Sequence, residues 1–238
     1  MEAEAQPSVD KLGLKRDESL GLAPHCPAVG FSGTVVAESG ASLEVVLVCN
    51  GKCQEFGVDN VGTVPAALTA FAAINAVKPD LVVNAGTCGG FKAVGGAIGD
   101  VYVSTSVANH DRRIQLPGFT EYGVGKYGCH PAPAVKSAVG GKDGVVSTGN
   151  SLDWNEDDMR LMKANGATCK EMEAAAIGWA CSLSGTPFFC LKAVTDIVDG
   201  DRPTHEEFLE NLGRAAQALQ GAIVAAVGAI AGRPLSAL

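Results

Sequence analysis

Charge, aromatic side chains and long apolar runs are all scarce in this chain, and each shortage excludes something. Charged residues make up 18% and aromatics 5% of its 238 residues, while 47% are apolar. An apolar fraction of that size, with charge below the usual ~25%, excludes a disordered chain and a charge-laced coiled coil. The longest apolar stretch, Gly221 to Ala231, falls short of the roughly 20 residues a membrane-spanning helix needs. Positive charge is in deficit, with 18 Lys and Arg against 26 Asp and Glu. The net charge of −8 has the wrong sign for a nucleic-acid backbone or an anionic membrane surface. The expected partner is a small, neutral or cationic molecule.

Metal-ligand patterns are missing as well. There is no CxxC pair, and His25, His110, His130 and His205 are scattered, so no metal site is readable. The eight cysteines come without a secretory segment or an N-x-[ST] sequon. Most sit among apolar residues or glycine, as in VLVCN around Cys49 and FFCLK around Cys190, and read as small buried hydrophobes in a reducing, cytoplasmic setting. The glycine-rich segment GTCGG matches neither GxGxxG nor GxxxxGK[ST], which disfavours a dinucleotide or nucleoside triphosphate, and no cofactor is expected.

What is present is alternation. Thr34 to Ala37 and Leu43 to Cys49 read as a hairpin, and Asn60 to Val77 as a helix with Leu68, Phe71, Ala72 and Ile74 at helical spacing. Leu81 to Val83 reads as a strand running into a glycine turn. Further strands are expected at Asp100 to Val107, Val145 to Ser147 and Pro187 to Val194. Helices are expected at Glu156 to Ala164, Glu171 to Leu183 and Thr204 to Ala231. With no linker and no repeat, residues 1–238 read as one α/β domain with a mostly parallel central sheet flanked by helices.

Three strands end in polar or glycine turns: at Asn84 to Gly90, at Thr148-Gly149-Asn150 and at Thr195-Asp196. Ligands of open α/β sheets bind outside the carboxyl ends of the strands, so these turns are expected to line one crevice. Asp196, after an apolar strand, would be costly to leave buried and unpaired, and catalysis is one reason to keep it there. Glu171 and Glu173 lie two apart on a predicted helix and point in nearly opposite directions, so one of them is expected to be solvated. A carboxylate at the start of that apolar helix has an equal structural reading, contact with the helix N-terminus.

In this order, MEAEA with VDKLGL, NAGTCGG, HDRRI, STGNSLD, KEMEAAAIGWAC and LKAVTDIVDGDRPTHEEF resemble the 5′-methylthioadenosine/S-adenosylhomocysteine nucleosidases, plant type, of the purine nucleoside phosphorylase superfamily. The resemblance spans nearly the whole chain. It implies a single Rossmann-like domain of the nucleoside phosphorylase type with a mixed central sheet flanked by helices, a homodimer, and hydrolysis of an N-glycosidic bond to adenine and a 5-thioribose. By resemblance, Asp196 is the general acid at adenine N7 and Glu4 polarises the attacking water. Glu173 holds the ribose hydroxyls with Met172 beneath the sugar, and Thr87 and Gly89 line the nucleoside pocket. Leu152 and Asp153 match the base-contacting segment, where bacterial members carry apolar residues. Phe208 is placed near the 5′-alkylthio group, and Arg112 to Tyr122 is the segment a partner subunit contributes. An apolar strand precedes Met-x-x-Glu in the family, whereas this chain begins at that Met; the sheet is therefore expected to lack its first strand, with Glu4 on a loose terminus. Hydrolysis is favoured over phosphorolysis, because no Lys or Arg precedes Lys11 and Asn84 opens the glycine segment. A non-catalytic storage or nucleoside-binding relative and a phosphorylase are the alternatives.

Overall fold

The apolar runs and glycine stops become nine strands and seven helices in the computed structural model, which describes residues 1–238. In chain order these begin with α1 (Glu2–Leu12), β1 (Lys15–Arg16), β2 (Val29–Val36), β3 (Ser42–Cys49), α2 (Thr63–Val77), β4 (Val82–Gly90) and β5 (Val101–Asn109). There follow α3 (Thr120–Val124), β6 (Tyr127–Gly128), α4 (Pro133–Val139), β7 (Lys142–Thr148), α5 (Glu156–Asn165), β8 (Cys169–Glu171), α6 (Ala174–Ser184), β9 (Phe188–Ile197) and α7 (Thr204–Ile230).

The central sheet has six strands in the order β6-β5-β7-β8-β4-β9, with β5 also pairing β9. It is mixed rather than mostly parallel as the alternation of elements suggests: β4–β9, β5–β7 and β7–β8 are parallel, while β4–β8, β5–β9 and β5–β6 are antiparallel. A separate three-stranded sheet holds β1, β2 and β3, the last two being the predicted hairpin. From Val82 to Cys88, β4 has a strand partner on one side only, β9; β8 joins it at Gly89 and Gly90.

Helices cover both faces. One core packs Ile74, Val107, Val146, Ala174, Ala175 and Val194 between the sheet and the α2–α6 pair. The other packs Val103, Val135, Phe189, Leu191, Ala222 and Ala226 beneath α4 and α7. Strand β9 is buried on both faces almost throughout, which is why FFCLKAV reads as a continuous rather than an alternating pattern.

Several expectations are corrected. Asn84 to Gly90 is not a turn but the second half of β4, because its glycines let neighbouring strands approach. A Cβ on Gly89 would lie 2.6 Å from Asp196 Oδ2, and one on Gly90 would lie 3.0 Å from Val194 Cγ1. Thr195 and Asp196 likewise belong to β9 rather than to a following turn. Helix α6 starts at Ala174, not at Glu171, because the Glu171 carboxylate accepts the N–H groups of Glu173 and Ala174 and ends the strand β8 there. The first residues are not loose. Glu2–Leu12 is a helix packed against α7, and Glu4 is buried at 9% exposure.

Candidate active site

Strand β4 brings four of the expected site residues together: Glu4, Thr87, Gly89 and Asp196. Thr87 donates both its backbone N–H and its hydroxyl to Glu4 Oε1, each at 2.7 Å, and the other Glu4 oxygen meets the Met1 ammonium. Burial acts to raise the Glu4 pKa, but the Met1 ammonium and the Thr87 bonds outweigh it and hold the carboxyl below its ordinary range. Glu4 is thus set up as an anion.

Two residues along the same face of β4, Gly89 faces Asp196. The β4–β9 register runs Cys88↔Val194 and then Gly89↔Asp196, so Thr195 is an extra residue on β9. A bulge of this kind re-aims the following side chain; here it turns Asp196 onto the Gly89 side while Val194 packs toward Gly90. Asp196 is 3% exposed, and burial pushes its carboxyl up, opposed by the Thr195 hydroxyl and the Lys170 charge. The Thr195 Oγ1 lies 2.6 Å from Asp196 Oδ1 and 3.1 Å from the Cys88 carbonyl. Its one proton can go to the carboxylate or, when Asp196 is protonated and itself donates, to the carbonyl. Both protonation states of Asp196 therefore have a satisfied neighbour.

Glu173 immediately precedes α6 without a side-chain capping bond, and its carboxylate instead accepts the Gly62 N–H at 2.7 Å, which ties it to the first turn of α2. Burial raises its pKa, and Glu171 adds to the effect. Met172 is half-buried between the two glutamates. Phe208 is half-buried on the first turns of α7, beside Glu207, whose carboxylate accepts the Ile197 N–H at 2.7 Å and so docks that helix end next to Asp196. Leu152 and Asp153 are exposed and line a cavity of about 640 Å³ with Trp154, Val198, Arg202 and His205. Val198 joins this cavity to the rest, since a Cβ on Gly89 would lie 2.6 Å from its Cγ2. Glu4, Thr87 and Asp196 are not in the cavity wall. No group of three or more His, Cys, Asp or Glu side chains is arranged to hold a metal ion.

The expectation that one of Glu171 and Glu173 is solvated is wrong. Glu171 is 6% exposed and pairs with the buried Lys192 at 3.1 Å. It also accepts the Thr148 hydroxyl and the first N–H groups of α6, so the helix-terminus reading applies to Glu171. Because the segment is strand and cap rather than helix, the two glutamates are not on opposite helical faces; both turn inward. Lys192 is a residue that sequence reasoning missed. Its signal was a lone cation inside the apolar run FFCLKAV, which demands a buried counter-charge. Asn150, expected only as part of a crevice-lining turn, has a capping role that the sequence did not show. Its Oδ1 accepts from the Thr63 N–H and hydroxyl, both at 2.9 Å, while its own N–H groups bond Asp111. It caps α2, which has no capping side chain of its own, and ties it to the 110–122 segment.

The chain is similar to known proteins. Residues 29–228 match the model of the phosphorylase superfamily. The 5′-methylthioadenosine nucleosidase of Arabidopsis thaliana is 45% identical over 238 residues, covering all of this chain and 87% of that protein. A 5′-methylthioadenosine/S-adenosylhomocysteine nucleosidase of the same plant is 42% identical, covering all of this chain and 92% of that one. The solved structure of the Arabidopsis thaliana 5′-methylthioadenosine nucleosidase in apo form superposes with a TM-score of 0.95 at 46% identity, over 100% of this chain and 96% of that one. On these grounds the chain belongs to the phosphorylase superfamily and, within it, to the 5′-methylthioadenosine/S-adenosylhomocysteine nucleosidase family.

Proposed function

We propose that this chain hydrolyses the N-glycosidic bond of 5′-methylthioadenosine, with S-adenosylhomocysteine as a second candidate substrate, to adenine and a 5-thioribose. One observation carries the residue assignment: Thr87 and Gly89, neighbours on one face of β4, bring Glu4 and Asp196 to the same strand end in surroundings that push the two carboxyls opposite ways. A pair of carboxyls driven apart in this way is suited to act as base and acid at one pH.

Asp196 gives its proton to adenine N7, and the electrons of the breaking C1′–N9 bond pass into the purine. The oxocarbenium left at C1′ is attacked by water, whose proton goes to Glu4 and returns to Asp196 through solvent. The net reaction consumes one nucleoside and one water. General acid or base assistance is worth about 10² to 10⁴ in rate for each group. Glu173 holds the ribose hydroxyls over Met172, Thr87 and Gly89 line the sugar end, Leu152 and Asp153 flank the base, and Phe208 meets the alkylthio group. The buried Lys192–Glu171 pair anchors the α6 end from which Glu173 projects.

The protein works as a homodimer in this reading. Leu116, Phe119 and Tyr122 are exposed in the 112–122 segment, Val64, Leu68 and Phe71 form an exposed stripe on α2, and Trp179 and Leu183 one on α6. Apolar exposure on this scale is what an interface covers. A cytoplasmic location is supported by eight free cysteines, four of them buried.

The test is adenine release from 5′-methylthioadenosine, measured with and without phosphate. Release at equal rates in both is expected. Phosphate-dependent formation of a pentose 1-phosphate, or no adenine at all, would overturn the reading.

A further inference from the structure

Strand β8 carries a charge that the mechanism above leaves unused. Lys170 is 5% exposed, yet its ammonium has no carboxylate partner; it donates to the carbonyls of Ser151 at 2.7 Å and Leu152 at 2.9 Å. A buried cation whose hydrogen bonds go only to two loop carbonyls, with Asp196 and Glu171 acting on it at a distance and burial still lowering its pKa, needs a reason to be kept.

The sheet register supplies the place. Gly89 pairs with Lys170 on one side and with Asp196 on the other, so the three residues form one row across β8, β4 and β9, with a side-chain-free glycine in the middle. Lys170 and Asp196 therefore flank a slot about two strand spacings wide, roughly 10 Å. Val198 closes on Gly89 from the same side and lines the cavity together with Ser151, Leu152 and Asp153.

The two carbonyls also fix what lies behind them. A trans peptide is planar with its C=O and N–H opposed. Drawing the Ser151 and Leu152 carbonyls onto one ammonium thus turns the N–H groups of Leu152 and Asp153 away from it. Neither N–H has an acceptor within the protein.

We propose that Lys170 is a positioning residue: it holds the Ser151–Leu152 carbonyls so that the Leu152 and Asp153 N–H groups are presented, across the Gly89 slot from Asp196, to an acceptor nitrogen in the six-membered ring of the purine. This rests on the nucleoside-hydrolase reading. Lys170 touches the loop and not the substrate, and its charge also acts on the Asp196 carboxyl; discrimination among bases, which no change at Asp196 alone would alter through the loop, is therefore the readout of its positioning role.

The experiment measures binding of adenine, 1-deazaadenine and 3-deazaadenine to the full chain by calorimetry, with KM and kcat for 5′-methylthioadenosine. The proteins are wild type, Lys170→Met and Lys170→Gln. The wild type is expected to bind one deaza base about tenfold more weakly than adenine, the worth of one hydrogen bond. Lys170→Met should lose that preference and raise KM about tenfold with a smaller change in kcat. Lys170→Gln, which keeps a neutral donor for the carbonyls, should recover part of the preference. Equal binding of all three bases by the wild type would overturn the proposal, as would a Lys170→Met protein with unchanged preference and KM. Failure of both variants to fold would make Lys170 a folding residue and overturn it as well. A wild type that neither binds adenine nor releases it would instead sink the hydrolase reading.

Discussion

Asp196 and Glu171 are both buried carboxylates, and because they are held differently their removal should have opposite consequences. Asp196 sits by the Thr195 hydroxyl and has no ion pair, so burial raises its pKa. The folded protein then keeps a proton that the unfolded chain has already released above ~3.9, and stability falls as pH rises from there through the raised folded value. Asp196→Asn should lower turnover by at least about 10², since an amide cannot deliver an acidic proton, with a much smaller change in KM. The same variant should be more stable than the wild type at neutral pH, the gain disappearing below ~3.9. Steady-state rates and urea melts at two pH values check both halves; a variant with normal turnover removes Asp196 from the mechanism. Glu171 instead answers the Lys192 charge, and Lys192 is raised above its ordinary value chiefly by Glu171, against burial. Glu171→Gln leaves that ammonium buried and unpaired, at a cost of about 3–5 kcal/mol. Denaturant unfolding should show a lower midpoint, whereas reading Glu171 as solvated predicts no change.

At the level of elements, the site depends on how closely β4 and β9 approach. Gly89 has no Cβ where Asp196 Oδ2 and Val198 Cγ2 would both lie 2.6 Å away. Gly89→Ala should push the carboxyl and the Val198 wall aside, costing about 1–3 kcal/mol in stability. A displacement of the acid on the order of 1 Å lowers turnover on the order of 10²-fold. A Gly89→Ala protein with wild-type rates would show that Asp196 does not use this slot. The glycines of this segment were legible as lining the crevice, but as a turn and not as strand. Successive glycines carry turn chemistry when read locally, and the pairing that makes them extended comes from β9, about a hundred residues on. The bulge at Thr195 was equally hidden, because it is a mismatch between two strands and exists in neither alone.

At the scale of the whole molecule, α2 and α6 pack together on one side of the sheet and still leave Leu68, Phe71, Trp179 and Leu183 exposed, at 49%, 54%, 43% and 59%. The 112–122 segment has internal order of its own: Phe119 stacks edge-on to Tyr122, and Arg112 lies over the Tyr122 ring at 5.0 Å. Asn150 links Asp111, the residue before that segment, to the first turn of α2 through Thr63. A dimeric mass is expected in sedimentation at micromolar concentration, and Leu68→Glu should shift it to monomer by placing an unpaired charge within the covered face. A monomeric wild type would contradict the assembly.

The sequence by itself determined the α/β class, the order of most elements and the family. Apolar periodicity, helix stops and ordered motifs are local properties, and folding changes none of them. It also singled out Asp196 on physical grounds, since a buried acid at a strand end is conspicuous in one dimension. Only the tertiary structure decided which polar groups answer one another. Glu4 meets Thr87, Glu171 meets Lys192, Asn150 meets Thr63, and Lys170 shares a row with Gly89 and Asp196. Each of these partnerships joins segments distant in the chain, and the packing of helices on the sheet together with strand order and register, not sequence spacing, brings them side by side.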